Sequence, residues 1–354
     1  MGFSVFAGAG QWRAAADDSR ANGLFGLDAS TGSWTPLRSG LPDGVEVRAL
    51  VIDPRNHDTV WAGTQHGPYR SGDGGETWEA RPLPDGTAAE HRVVWSICPD
   101  PSDAGTLYVG TQANTVFRSR DAGRSWQQLA IDLPPGVVHM SFPMRVVRIA
   151  VDPGNSDHLQ VAFEVGGTVH STDGGATWKS GNPSLLSLSQ QQHLKSRIIS
   201  DTETEGMMDS HAVVIGGSKT VWLANRMGLF SSADNGATWQ ELGIGRYSPL
   251  TYARDVAVSA HVPGRLYAAL SGAANSDIGS LWRSEDDGES WRRFDHTVAI
   301  TSTLMSIAES RSRGERVYCA ARRGQVLGTE DGGATWTGFP LPDGVEGVYA
   351  LAVA

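Results

Sequence analysis

The octet Ser171-Thr-Asp173-Gly-Gly175-Ala-Thr177-Trp178 decides how the rest of the chain is read, because it returns with small changes along the whole sequence. As a pattern it is S-x-D-x-G-x-T/S-W. Further copies stand at 71–78, 119–126, 232–239, 284–291 and 329–336, the last opening with Thr. A seventh, LDASTGSW at 27–34, keeps its Trp but has its Asp and Gly out of register. Each octet is a turn that satisfies itself. The Asp carboxylate accepts N–H bonds from the residues after it, the first hydroxyl joins that network, and Gly supplies the positive φ of a tight hairpin. The closing Trp starts the next strand and offers a large apolar face to a neighbouring sheet. Asp73, Asp121, Asp173, Asp234, Asp286 and Asp331 recur in near-identical settings and therefore read as structural.

The closing Trp residues lie at 34, 78, 126, 178, 239, 291 and 336, 44 to 61 residues apart. Such a period, with turn signals about every ten residues and little helical patterning, predicts four-stranded antiparallel blades stacked radially, one per Trp. The fold expected is an all-β, seven-bladed β-propeller forming one domain over residues 1–354. In the second blade the strands read 45–53, 59–64 and 68–71, with the fourth leaving from Trp78. The ends answer each other: FSVFAGAG at 3–10 aligns with second strands, and LPDGVEGVYAL at 341–351 resembles LPDGVEVRAL at 41–50, which leads into a first strand. Residues 345–354 are therefore expected to complete blade one beside residues 3–34, closing the ring and leaving no open sheet edge.

A net charge of −10 without any basic run argues against nucleic acid as a partner. No stretch is long and apolar enough to span a membrane, and MGFSVFAGAG has no charged n-region or cleavage site, so a cytoplasmic location is expected. Cys98 and Cys319 fall in strands of different blades, which predicts two free buried thiols. Two segments depart from the repeat. Residues 11–22 lengthen a loop of blade one. Residues 181–210 lie between blades four and five, where loops of such length are usually functional or disordered, and read as a lid over the channel mouth or an idle insertion. A short helix is expected within 183–200, with Leu185, Leu186, Leu188, Leu194 and Ile198 on its apolar side and a solvated acidic stretch after it.

In a propeller of this connectivity, loops entering first strands and loops leaving second strands share one face, opposite the octets. Columns where blades agree hold up the fold, and columns of dissimilar polar residues are candidates for a site. The column ending the second strands reads Gly10, Gln65, Gln112, Glu164, Arg226, Ser271, Arg322. Entering the first strands come Glu46 and Arg48, His91 and Arg92, His139 and Arg145, His211, Tyr252 with Arg254 and Asp255, Thr303 and Tyr349. Arginine grips oxyanions bidentately, so Arg145, Arg226, Arg254 and Arg322, with Arg92, suggest an anionic small ligand, with Gln65, Gln112 and Tyr252 also facing it. Equally, these arginines could pair with Glu46, Glu164, Asp209 and Asp255 across blades. Glu164 and Asp255 are the candidate acid–base pair, with Glu46, Asp209 and Glu346 as substitutes and His139 and His211 as alternative proton carriers. His91, His139 and His211 precede three consecutive first strands and could converge on a divalent metal, joined by His66 or Glu164.

The octets resemble the Asp-box, or BNR, repeat over nearly the whole chain. Propellers of this kind include sialidases, xyloglucan-cleaving glycosidases, sortilin-type receptors and photosystem II assembly factors. The Arg-Ile-Pro motif of sialidases is absent, its only echo being Phe142-Pro-Met-Arg145, and the two-propeller xyloglucanases are about twice this length. The resemblance implies a sialidase- or glycosidase-like propeller without being a true sialidase. Two functions stay open: a hydrolase or lyase acting on a small anionic or sugar-like substrate at the channel mouth, and a non-catalytic platform for a ligand or a protein partner.

Overall fold

The computed structural model describes residues 3–10, 22–28, 30–217 and 219–354, so most of the 11–22 loop lies outside the described residues. Seven four-stranded antiparallel sheets surround a central channel, their strands following chain order from the hub outward. Blade one is the exception. Its inner strand, Val348–Val353, pairs with Val5–Ala9, which carries Gly23–Asp28 and Ser33–Leu37 outside it. The register Val5↔Val353 through Ala9↔Val348 closes the ring as the matching ends of the sequence require. Apolar residues of each sheet pack against the next blade: Val5, Ala7 and Leu27 of blade one join Tyr318, Ala320 and Val326 of blade seven in one core.

The octets turn the third strand into the outer one. Ser171 Oγ donates to Asp173 Oδ1 (2.8 Å), and the Gly175 and Thr177 N–H groups donate to Ser171 Oγ and Asp173 Oδ1 (2.9 and 2.8 Å). The other five octets repeat this bonding. These donors, led by the Thr or Ser hydroxyl and followed by the backbone N–H, bring Asp73, Asp121, Asp173 and Asp331 down to a pKa of about 2. The octet Gly is needed for space as well as for φ. A Cβ on Gly75 would stand 2.5 Å from the Phe6 ring of blade one, and one on Gly333 2.2 Å from Phe294. The residue just before the Gly is also left-handed, and there Ala122, Asn235 and Asp287 are accepted.

The 181–210 insertion is tied down at several points. Helix Asn182–Leu188 stops well short of residue 200, and after a 3-10 turn at Gln192–Leu194 the next helix is Glu205–Met208. The reason is Glu205. Its Oε2 accepts N–H bonds from Ile198, Ile199 and Ser200 (2.9 to 3.0 Å) and the Ser200 hydroxyl, which holds that backbone in a nest instead of a helix. Leu185, Leu194, Met207 and Met208 are buried, whereas Ile198 is 69% exposed, contrary to its expected place on the apolar side. The acidic stretch is only half solvated: Asp201 and Glu203 are exposed, but Glu205 and Asp209 are buried. Asn182 satisfies three backbone groups of the 135–168 region through its amide. Both cysteines are free; Cys319 is buried, and Cys98 is partly exposed, against expectation.

Candidate functional site

The feature that organises the hub is a ring of β-bulges. In all seven inner strands the pairing shifts by one residue at the same height. A bulge leaves one residue unpaired and re-aims its side chain. Here the extra residues are Arg48, Trp95, Val147, His211, Arg254, Met305 and Tyr349, and all seven line a cavity of about 90 Å³ in the channel. The seven blades agree on where the bulge falls and disagree on what it carries.

Above the bulges, on the face opposite the octets, the residue that follows a second strand faces the one that precedes the inner strand. In blades four and five these partners are charged. Arg145 Nη1 donates to Glu164 Oε2 at 2.6 Å. Arg226 donates to Asp209 Oδ2 from Nε and Nη2 (2.9 and 2.7 Å) and to Glu205 Oε1 from Nη1 (3.0 Å). In blade two Arg48 pairs with Glu46. The Trp95 ring takes two guanidiniums, with Arg145 Cζ at 4.3 Å and Arg48 Cζ at 4.8 Å from its centroid, and meets Tyr349 edge-on.

Burial opposes the charge on Asp209, but His211 and the Arg226 fork outweigh it and hold its pKa below the ordinary range. Burial likewise opposes the charge on Glu205, whose backbone and hydroxyl donors nonetheless bring it to about 2. His211 is fixed on both sides, its Nδ1 donating to the Ala253 carbonyl (2.7 Å) and its Nε2 facing the Tyr252 hydroxyl (3.2 Å). Burial, with Asp209 and Glu164 adding to it against the pull of Arg254 and Arg226, pushes Tyr252 up to about 12. Arg254 differs from its neighbours. Among the described residues it makes no ion pair within 4.0 Å and no side-chain hydrogen bond, and although burial opposes its charge, Tyr252, Glu164 and Asp209 outweigh it and raise its pKa. Arg322, by contrast, donates to the Ala274 carbonyl.

One residue below the bulges, Asp255 of blade six accepts from Arg148 of blade four (2.8 Å) and from the Ile307 N–H of blade seven (2.9 Å). This bar crosses the channel. Beyond it the channel widens into a funnel of about 1120 Å³ toward the octet face, lined by Asp255, Arg148 and the turns that follow the inner strands. Burial raises the Asp255 pKa against the pull of Arg148.

These positions correct several expectations. Glu164 belongs to the rim and Asp255 to the floor, with the bulge residues between them, so the two do not form a facing acid–base pair. The three-histidine metal site is not assembled: no group of three His, Cys, Asp or Glu able to hold a metal exists among the described residues. His91 is spent on the Thr115 hydroxyl (2.6 Å), His139 is exposed, and His211 is held as above. Arg145 and Arg226 pair within their own blades and not across them. Gln65 holds its own loop, accepting from the Glu46 N–H and donating to the Gly44 carbonyl. The Gln112 backbone bridges to Arg145. Arg92 is exposed and donates to the Thr87 carbonyl. Sequence reasoning missed Trp95 and Arg148. The signal that would have found them is the residue two or three positions into each first strand, where apolar alternation breaks.

No family model matches the chain. In sequence it is similar to the xyloglucanase Xgh74A of Acetivibrio thermocellus, 28% identical over 274 residues that cover 64% of this chain and 32% of that protein. A Paenibacillus xyloglucanase is 25% identical over 320 residues, 77% of this chain and 29% of the other. The chain thus spans about a third of the length of the curated relatives it matches. Among solved structures, the GH74 xyloglucanase of Xanthomonas campestris superposes with a TM-score of 0.63 at 18% identity, over 82% of this chain and 45% of that one. YCF48 bound to D1 peptide gives a TM-score of 0.54 at 16% identity, over 82% and 81% of the two chains. The protein is a seven-bladed β-propeller that resembles the glycosidase-type propellers of the GH74 xyloglucanases.

Proposed function

We propose that the protein is a carbohydrate-active hydrolase that takes a sugar-like substrate at the rim opposite the octets. The observation that carries this reading is the pair of ion-paired cross-strand couples, Arg145–Glu164 and Arg226–Asp209, on adjacent blades at the mouth of the channel. Each couple offers forked donors beside carboxylate acceptors, which is what neighbouring sugar hydroxyls require. The similarity to xyloglucanases, in sequence and in fold, supports a glycan as the substrate class. Glu164 is the candidate general base, oriented by Arg145. The test is release of reducing ends from xyloglucan, its oligosaccharides and uronate-containing glycans by the purified chain. Turnover in Glu164→Gln is expected to fall on the order of a hundredfold or more. No release from any glycan, at enzyme levels that would detect slow turnover, sinks the hydrolase reading.

A platform for a protein partner is the second reading. It is favoured by the rim carboxylates Glu164, Asp209 and Glu205 each being engaged by an arginine. A similar propeller, YCF48, has been solved with a peptide bound. Retained binding of a peptide or protein by a chain that cleaves no glycan would favour it.

A further inference from the structure

We infer that the bulge ring holds a small oxyanion in the channel, beneath the rim, with Arg254 as its principal ligand. The ligand class is a phosphate, a sulfate or the carboxylate of a sugar acid. Three observations lead there. First, the chamber of about 90 Å³ far exceeds the roughly 10–15 Å³ that one water needs, so it admits a group of several non-hydrogen atoms. Second, Arg254 lines that chamber without any ion pair or side-chain hydrogen bond among the described residues, while Arg48, Arg148, Arg145 and Arg226 around it each have a carboxylate. Burial opposes the Arg254 charge, but Tyr252, Glu164 and Asp209 outweigh it, so the guanidinium stays charged in the hub while its forked donors remain open to a ligand. Third, the same wall contains buried N–H groups with no acceptor: Nε and Nη1 of Arg48, Nε of Arg148 and Nε1 of Trp95. The unmet demand at this level of the channel is for acceptors, and an oxyanion is the ligand richest in them.

The surrounding charges agree with this arrangement. Burial depresses the Arg322 pKa and the nearby Arg254 charge adds to the effect, a repulsion that a bound anion would relieve. Below, the Arg148–Asp255 bar separates the chamber from the funnel, so the anion enters from the rim. The site stands whether or not the rim turns over a sugar, because it is built from bulge residues and not from the rim couples.

Titration calorimetry on the full chain in low-chloride buffer tests it, with inorganic phosphate, sulfate and glucuronate as separate probes. One saturable site is expected for at least one of them. Phosphate or sulfate without glucuronate identifies a free tetrahedral oxyanion, and glucuronate alone identifies the acidic group of a sugar. Arg254→Gln should weaken that binding on the order of ten- to hundredfold. Arg254→Lys keeps the charge but loses the fork, and serves as a second variant should the first not fold; it should weaken binding about tenfold. Saturable binding with no glycan cleavage would remove the hydrolase reading and leave this one intact. The inference is overturned by the absence of a saturable response to all three probes, or by parental affinity in either variant.

Discussion

Replacing Glu205 by Gln tests whether the 181–210 insertion is a fixed wall of the mouth or a loose appendage. The carboxylate is fully buried, and four donors from residues 198–200 converge on one oxygen while Arg226 takes the other. Those contacts lower its pKa from 4.5 to about 2. At about 1.4 kcal/mol per pKa unit, the ionised form is worth about 3 kcal/mol to the folded state. Because the folded pKa is depressed, that stability is fully present above pH 4.5 and is lost as pH falls through about 2. Glu205→Gln deletes it at every pH and turns an amide NH2 toward either the nest or the guanidinium, so a loss of about 2–3 kcal/mol is expected. Hydrogen exchange followed by mass spectrometry should show residues 196–208 losing about two orders of magnitude of protection at pH 7 in the variant, with the blades little changed. In the parent the same segment should lose protection on acidification between pH 4.5 and 2, and the variant should lack that step. Equal protection in the two proteins at pH 7, or an acid step of equal size in both, would refute the nest as the anchor.

Removing residues 345–354 takes away the inner strand of blade one, and with it the buried Val348, Leu351 and Val353. At about 1.5–3 kcal/mol each, these approach the whole stability of a typical domain, so the truncated chain should show no cooperative thermal transition; one melting like the parent would refute the closure. Carboxyl titrations followed by NMR should place Asp73, Asp121, Asp173 and Asp331 near pH 2. Since these folded values are depressed, the octet turns should contribute stability above about pH 4 and lose it toward pH 2; midpoints near 3.8 would mean that the hydroxyl and N–H donors do not hold in solution.

The sequence alone determined the fold, because each octet is a local device. Its Ser, Asp, Gly and Thr bond to one another within eight residues, so their spacing carries the geometry without help from the rest of the chain. The repeat count and the matching ends then left one way to close the ring. The rim column was legible as well, since Glu164 and Arg226 stood out as costly residues where the blades differ, although the sequence left open whether ligand or structure used them. What only the tertiary structure decided is who meets whom across the hub. Arg148 and Asp255 are 107 positions apart and touch because two inner strands face each other across the channel. The bulge that turns Trp95 and Arg254 inward is marked in the sequence only by a break in apolar alternation and by no particular residue type, because a single unpaired position in an extended strand asks for no special φ. Pairing partners in a closed ring are set by the geometry of seven sheets at once, so an arginine whose fork makes no hydrogen bond becomes visible only when every other charge around it has been placed.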